Sequence, residues 1–187
     1  VRKVFPRSIL VKDKVQNIIE DLFPAPKDKD KTEARSIFTY TVGRLVSLCK
    51  QRLAEPTPET LADLSVQYGI ELPTEETETQ AIFAAVPAVL MAAANRTETY
   101  DFDDQLWFVI RLNLPVQKYG VVIIDEAQDL NALQHQMVLK MLKSNGRCVI
   151  VGDDNQAIFG FRGADVDSIP NLTELLVNTN TVDTLPI

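Results

Sequence analysis

The sequence predicts an α/β protein in which an N-terminal all-helical part precedes a parallel β-sheet. Up to about residue 100, apolar residues recur at helical spacing, prolines interrupt the pattern, and there is little sign of strands. Beyond that point, two aliphatic runs at 121–124 and 148–151 flank a helical stretch at 132–143. A strand, a helix and a strand within about thirty residues form a βαβ unit, whose strands run parallel. We therefore expect two domains, residues 1–100 and 101–187.

Four helices are expected in the first domain. The first covers residues 12–23, where apolar side chains fall on one helical face before Pro24 ends the helix. The second covers residues 33–53, and a short third covers residues 58–68. The fourth begins within 74–78 and continues through the alanine-rich stretch to Ala94, and the internal Pro87 is expected to kink it.

Helix signals in the second domain come from acids, glycine and asparagine. The acids of Asp101–Asp104 suit the N-terminus of a helix through Q-L-W-F-V-I-R-L, in which Trp107 is expected to be a core residue. Asn145-Gly146 is typical of a helix C-cap and should end the helix at 132–143. His135, on that helix, is interpreted as a surface residue, and a short helix is expected at 172–176.

Charge is distributed unevenly, although the net charge is -7. Residues 1–60 contain 12 basic and 8 acidic side chains, whereas residues 61–187 contain 7 and 18. Because phosphate attraction depends on local patches, the total charge does not exclude nucleic acid as a partner. Ordinary scatter of charge on a solvated face explains the excess of basic side chains in residues 1–60 about equally well.

Cysteine usage and hydropathy indicate a cytoplasmic protein. Cys49 and Cys148 are far apart in the sequence and are expected to be free, buried thiols in a reducing compartment. No apolar run reaches the roughly 20 residues of a membrane-spanning helix, and the first residues lack a secretory signal. We therefore expect no membrane association. One histidine and no C-x-x-C pair argue against a zinc site.

The first candidate site follows the strand at 121–124. Asp125 and Glu126 come directly after V-V-I-I, at the carboxyl end of the strand, where open α/β sheets bind their ligands. A hard cation such as Mg²⁺ prefers carboxylate oxygens, so one acid can hold the metal. The other acid can orient or deprotonate an attacking water. Acids that merely cap the next segment are the alternative interpretation.

The second candidate site follows the strand at 148–151, in V-G-D-D-N-Q-A-I-F-G-F-R-G-A-D. Gln156 has an amide suited to sensing a terminal phosphate or positioning water. Phe159, Phe161 and the adjacent Arg162 can form a stacking platform for single-stranded bases. Two core phenylalanines are the alternative. A metal-dependent phosphatase or nuclease built on three acids is a weaker interpretation: Asp125, Asp153 and Asp154.

Taken together, D-E-A-Q-D and V-G-D-D-N-Q-A-I-F-G-F-R-G-A-D resemble motifs II and III of UvrD/Rep-type superfamily 1 DNA helicases. The resemblance implies that Asp125 coordinates Mg²⁺, Glu126 activates water and Gln156 contacts the γ-phosphate of ATP. Phe159 and Phe161 match the aromatic pair that stacks on single-stranded DNA. Arg162 matches the arginine that links the phosphate site to that DNA. The family has tyrosine and tryptophan at the two aromatic positions, so this chain keeps the stacking but loses their polar groups.

The resemblance is sharp over residues 101–176, and it implies a partial RecA-like (P-loop NTPase) core there, called 1A in the family. Residues 1–100 fit the helical insertion called 1B in character. The chain has no G-x-x-x-x-G-K-[ST] and no Gly-Lys pair at all, so the main phosphate cradle is missing. We therefore expect an internal segment of a longer ATP-dependent helicase, inactive by itself, with its P-loop upstream and the remaining helicase domains beyond Ile187.

The expected partners are single-stranded or partly duplex DNA and the remaining helicase domains, in a bacterial or phage setting. RNA stays open as the track, because aromatic stacking does not distinguish the sugars. A helicase-derived module that binds DNA or protein without hydrolysing ATP is the alternative function, and the missing P-loop favours it.

Overall fold

A computed structural model describes residues 7–25, 32–153 and 167–176. The chain divides into two compact units, Val1–Pro115 and Val116–Ile187. Helices combined with small parallel sheets in these units confirm an α/β chain. The assignment of residues 1–100 and 101–187 to 1B-like and 1A-like subdomains stays a prediction.

Five helices and one short strand pair form the described part of the first unit. In chain order they are β1 Ile9–Leu10, α1 Lys14–Leu22, α2 Thr32–Arg52, α3 Pro58–Gln67, α4 Glu76–Asn95, β2 Thr99–Tyr100 and α5 Asp104–Arg111. The helix predictions are confirmed to within a few residues, and α4 continues through Pro87. The all-helical prediction needs a correction, because β1 and β2 pair in parallel. Two-residue strands are too short to show the alternating pattern by which strands are recognised.

The hydrophobic core of the first unit lies between α1, α2, α3 and α4. Its fully buried side chains include Ile18, Val42, Leu45, Leu61 and Val86. Helix α4 is long and apolar enough to cross a membrane by length and composition alone, with a mean hydropathy of 1.3. Five residues of α4 are buried in the core, whereas Met91 on the same helix is exposed.

Both cysteines are free, as expected. Cys49 lies in the core, and burial raises the pKa of its thiol to about 12. Cys148 is only half-buried, and burial raises the pKa of its thiol as well. Since the thiolate is the nucleophile, the raised pKa disfavours reaction of Cys49 at neutral pH, and the residue packs as a small apolar side chain.

A buried cluster of four charged side chains joins α1 and α2 to the start of α5. We call it the ionic cluster: Lys14, Lys50, Asp101 and Asp104. The Asp104 carboxylate lies between two ammonium groups, with Oδ2 2.7 Å from Lys14 Nζ and Oδ1 2.7 Å from Lys50 Nζ. Lys50 Nζ also lies 2.8 Å from Asp101 Oδ2, and Lys14 Nζ donates to the Ala93 carbonyl at the end of α4. The cluster therefore connects four separate segments of the unit.

Burial and charge act in opposite directions within the ionic cluster. Burial lowers the pKa of Lys14 below its ordinary value, despite the opposing effect of Asp104. Burial also disfavours the charge on Lys50, but Asp101 and Asp104 together raise the pKa of Lys50 above its ordinary value. Lys50 therefore stays protonated, and two carboxylates close to it are what make its burial tolerable.

The acidic stretch precedes α5 as predicted, but Asp103, the residue before the helix, makes no side-chain capping hydrogen bond. Asp101 Oδ1 accepts the backbone N–H of Asp104 at 2.7 Å, and the Asp101 N–H donates to Asp104 Oδ2 at 3.2 Å. This reciprocal pair satisfies amide donors at the helix start, as a capping box does. Trp107, on α5, is buried as predicted.

The second unit is built on a parallel strand pair. Its described elements are β3 Tyr119–Ile124, a 3-10 turn Ala127–Asp129, α6 Ala132–Met141, β4 Leu142–Ile150 and α7 Ser168–Leu175. The predicted strand, helix and strand are confirmed, and β3 and β4 are parallel with Ile124 opposite Ile150. A capping box at Asn131 starts α6, since Asn131 and Gln134 exchange side-chain and backbone hydrogen bonds.

Two boundaries in the second unit differ from the predictions. Helix α6 ends at Met141, and Asn145-Gly146 lies within β4, so this pair is not a helix C-cap. Tyr119 of β3 pairs with Leu142 of β4, whereas Val121 pairs with Arg147, so β4 holds more residues than β3 over this stretch. Asn145-Gly146 lies in this irregular part of β4. Asparagine and glycine occur at irregular positions of strands as well as at helix ends. Helix α7 begins at Ser168 and is longer than the predicted helix at 172–176.

The two faces of the β3–β4 sheet have different surroundings. Ile124, Ile150 and Val122 point to the face that packs with Leu172 of α7 and Val138 of α6. The other face presents apolar side chains that are 41–71% exposed: Tyr119, Val121, Ile123, Val149 and Val151. Parallel sheets normally have both faces covered, so this apolar face is unusual.

Candidate functional site

The two candidate acids lie where β3 ends, beside the end of β4. Asp125 and Glu126 directly follow Ile124 and are both exposed. The Val151 N–H donates to the Ile124 carbonyl at 2.9 Å, and the Ala127 N–H donates to the Val151 carbonyl at 3.0 Å. The segments that leave β3 and β4 are therefore joined by backbone hydrogen bonds at one edge of the sheet.

Glu126 has a left-handed backbone conformation, with φ 52° and ψ 45°. A non-glycine residue in this region costs about 1–3 kcal/mol, and such residues concentrate at functional sites. The Glu126 N–H donates to Asp125 Oδ1 at 3.1 Å, which links the two acids through the bend. The chain thus turns sharply between the two carboxylates and the 3-10 turn that follows.

Gln128 connects Glu126 to the segment after β4. Its Nε2 donates to Glu126 Oε2 at 2.6 Å, and its Oε1 accepts the backbone N–H of Asp153 at 3.1 Å. The side chain is buried, with 4% of its surface exposed. Because both ends of the amide have partners, Gln128 fixes the Glu126 carboxylate relative to the end of β4.

Gly152 provides the space that Gln128 occupies. A Cβ atom at position 152 would lie 2.5 Å from Gln128 Oε1, 2.9 Å from Ile169 Cδ1 and 3.0 Å from the Ala127 nitrogen. These distances are below van der Waals contact, and a backbone atom is among the neighbours. The position therefore accepts only glycine without movement of the surrounding chain.

Replacing Gly152 with alanine should destabilise the second unit by about 1–3 kcal/mol, because the new methyl group overpacks a filled site. Gly120→Ala is the matched control, since a Cβ at position 120 has nothing within 4 Å. Hydrogen exchange of the β3 and β4 amides measures the effect on this unit alone. Equal protection in the two variants would show that Gly152 has no packing role.

His135 is buried, with 2% of its surface exposed, so its prediction as a surface residue is wrong. Its Nε2 lies 2.9 Å from Ser168 Oγ, and Ser168 Oγ donates to the Ala127 carbonyl at 2.5 Å. His135 can be buried because Ser168, which is 33 residues away in the sequence, forms a hydrogen bond with its imidazole inside the unit. Nothing in the sequence indicates the His135–Ser168 pair or the hydrogen bonds of Gln128.

The predicted residues of the second cluster lie outside the described residues. They are Gln156, Phe159, Phe161 and Arg162, together with Asp154 of the weaker metal-site interpretation. Asp153 is described, and its backbone N–H is the group that Gln128 binds.

Asp125 and Glu126 offer donors that fit a magnesium ion better than a transition metal. Within residues 7–25, 32–153 and 167–176, no group of three or more histidine, cysteine or acidic side chains could hold a metal by itself. Mg²⁺ usually binds one or two carboxylates and keeps water and phosphate oxygens as its other ligands. Two exposed carboxylates at a strand end fit that requirement. The residues do not fit a complete nucleotide site, because no Gly-Lys pair exists in the sequence.

Comparison with known proteins gives related sequences for most of the chain. An "ATP-dependent DNA helicase PcrA" of Leuconostoc citreum is 30% identical over 111 residues, 55% of this chain and 15% of the relative. The corresponding Staphylococcus aureus protein is 31% identical over 96 residues, 47% of this chain and 13% of the relative. A "DNA helicase II" of Haemophilus influenzae is 38% identical over 53 residues, 28% and 7% of the two chains.

The chain therefore spans a small part of these three curated relatives, between 7% and 15% of their length. The match to a protein family is much broader. Residues 6–176 match the UvrD/REP helicase N-terminal domain, which covers both units and includes Asp125, Glu126 and the 156–162 segment. The chain belongs to the UvrD/REP helicase N-terminal domain family.

Proposed function

We propose that this chain is a segment of an ATP-dependent DNA helicase or translocase. In this proposal it supplies the acids for Mg²⁺ and water, and the segment that links ATP hydrolysis to single-stranded DNA. The observation that carries the proposal is the Asp125–Glu126 pair at the end of a parallel strand, with the Glu126 carboxylate held by Gln128 beside the end of β4. The helicase names of the relatives are consistent with it.

The two acids have separate roles in this proposal. Asp125 would hold Mg²⁺ through a carboxylate oxygen, and Glu126 would orient the attacking water and accept its proton. When bound, Mg²⁺ supplies neutralisation of charge on the ATP phosphates. Hydrolysis of ATP needs positioning and charge stabilisation more than covalent chemistry, so two acids and a few donors suffice on this side of the site.

The 156–162 segment has the DNA-linked role in this proposal. Gln156 contacts the γ-phosphate, Arg162 links the phosphate site to DNA, and Phe159 and Phe161 stack on single-stranded bases. This segment follows Asp153, whose N–H is tied to Gln128 and through it to Glu126. The Gln128 side chain therefore connects Glu126 to Asp153, which precedes Gln156 by three residues in the sequence.

The remaining helicase domains of the same protein are the proposed partners of the exposed sheet face. The apolar side chains on that face need cover, and a parallel sheet is normally covered on both sides. The phosphate cradle must also come from outside this chain, which has no Gly-Lys pair.

We propose that residues 101–187 belong to a RecA-like 1A subdomain and residues 1–100 to a 1B subdomain. The proposed setting is the cytoplasm of a bacterium or a phage-infected cell, without membrane contact.

Loss of the two aromatic rings tests the DNA-linked role. In the intact protein, Phe159→Ala with Phe161→Ala should weaken single-stranded DNA binding, because each stacked base contributes about 1–3 kcal/mol. The DNA concentration that half-saturates ATP hydrolysis should rise at least about fivefold. Tyr40→Ala is the control, since it removes an exposed aromatic ring of the first unit. Unchanged DNA dependence in the double variant would contradict the stacking role.

A module that binds DNA or protein without hydrolysis is the second candidate function. The absence of a Gly-Lys pair favours it. The same titration separates the two candidates, because a module of this kind binds DNA but shows no DNA-dependent ATP turnover in the intact protein.

A further inference from the structure

Four buried residues surround the backbone that leads from Glu126 into the second unit. Ala127 and Gln128 lie in the 3-10 turn, His135 in α6 and Ser168 at the start of α7, and none is more than 4% exposed. The role proposed for Glu126 does not by itself account for these residues. Two hydrogen bonds link His135 through Ser168 to the Ala127 carbonyl, and the next residue along the chain, Gln128, donates to the Glu126 carboxylate.

The direction of the two hydrogen bonds of Ser168 is determined. A hydroxyl has one proton, and Ser168 Oγ donates it to the Ala127 carbonyl at 2.5 Å. The contact of 2.9 Å between Ser168 Oγ and His135 Nε2 therefore requires that the imidazole donates through Nε2–H. His135 thus orients the Ser168 hydroxyl, and Ser168 holds the Ala127 peptide.

The Ala127 peptide is held from both sides. Its N–H donates to the Val151 carbonyl at 3.0 Å, and its carbonyl accepts the Ser168 hydroxyl. Glu126, the preceding residue, has the left-handed conformation, and Gln128, the following residue, binds the Glu126 carboxylate. A rotation of the Ala127 peptide would therefore change both the bend at Glu126 and the reach of Gln128.

We propose that Gln128 and Ser168 are positioning residues for Glu126. Gln128 acts directly on the carboxylate, and Ser168 acts one step further away, through the Ala127 peptide and with His135 as its support. The proposal rests on the function of Glu126 proposed above. A carboxylate on a flexible side chain activates water only in one placement, and a displacement of about 1 Å can reduce turnover by about 100-fold.

Turnover of ATP by the intact protein tests both residues. Gln128→Leu should lower kcat by about 10–100-fold, with little change in KM for ATP, since the binding of nucleotide is not disturbed. Ser168→Ala should lower kcat by a smaller factor. Ser65→Ala is the matched control, because it removes a buried serine hydroxyl that donates to a carbonyl, at 2.7 Å, in the first unit. It should leave kcat unchanged.

Variants of His135 separate positioning from a general loss of structure. His135→Gln keeps a donor near the Nε2 position and should retain most of the turnover, whereas His135→Leu removes the donor and should behave like Ser168→Ala. Thermal unfolding of each variant shows whether it is folded under the assay conditions. If Gln128→Leu does not fold, Gln128→Asn, which keeps the amide but shortens its reach, should show the same loss of kcat.

Glu126→Gln distinguishes the possible failures. If Glu126→Gln abolishes turnover while the folded Gln128 and Ser168 variants keep wild-type kcat, the positioning proposal is wrong and the proposed function stands. If Glu126→Gln itself keeps wild-type turnover, both proposals are overturned. Equal losses of kcat in His135→Gln and His135→Leu would also reject Ser168 as a positioning residue.

Discussion

Replacing Asp104 with alanine is expected to lower the free energy of unfolding of the first unit by about 3–5 kcal/mol, the usual cost of removing one partner of a buried ion pair. Asp104 is fully buried and lies 2.7 Å from both Lys14 Nζ and Lys50 Nζ. Without its carboxylate, two buried ammonium groups would share only Asp101. The variant also loses the carboxylate that accepts the N–H of Asp101 before α5.

Urea unfolding followed by tryptophan fluorescence measures this effect. The chain has a single tryptophan, Trp107, which is buried in α5 beside the ionic cluster, so the signal reports the first unit alone. Asp21→Ala is the control, because it breaks an ion pair of the same length to Arg96 on the surface. That exposed pair should contribute less than about 1 kcal/mol. Similar midpoints for the two variants would mean that the ionic cluster does not stabilise the unit.

Replacing Glu126 with glutamine is expected to reduce ATP turnover by the intact protein by at least about 100-fold, because a general base contributes roughly that much or more. Glutamine keeps the size of the side chain and its contact with Gln128, but it cannot accept a proton from water. Binding of ATP should be nearly unchanged, since the phosphate cradle is not in this chain.

Equilibrium binding of a fluorescent ATP analogue, measured beside steady-state turnover, separates the two effects. Glu174→Gln is the control, because Glu174 is an exposed glutamate on α7 of the same unit. It should leave both quantities unchanged. A Glu126→Gln variant that still turns over ATP at the wild-type rate would remove Glu126 from the chemistry.

Elements with a local signal were predictable from the sequence. The strand at 121–124 follows from four consecutive aliphatic residues, and its pairing with the next strand follows from the intervening helix. The capping role of Asp101 follows from acids at the start of an apolar helical pattern. Each of these features depends on residues within a few turns or one βαβ unit.

Features that depend on distant partners were not predictable. His135 has a polar side chain on a short helix, and only Ser168, far along the chain, makes its burial favourable. Asp104 was interpreted as a capping acid, but its ion-pair partners Lys14 and Lys50 come from α1 and α2. The Asn145-Gly146 pair shows a related difficulty, because the same two residues suit a helix end and an irregular strand.

We propose that Glu126 and Gln156 act on the same nucleotide. A crystal structure of the intact protein with Mg²⁺ and a non-hydrolysable ATP analogue tests it most directly. We expect Asp125 next to the metal, Glu126 facing the water in line with the terminal phosphate, and Gln156 within hydrogen-bonding distance of that phosphate. A structure with Glu126 and Gln156 on opposite sides of the protein would contradict it.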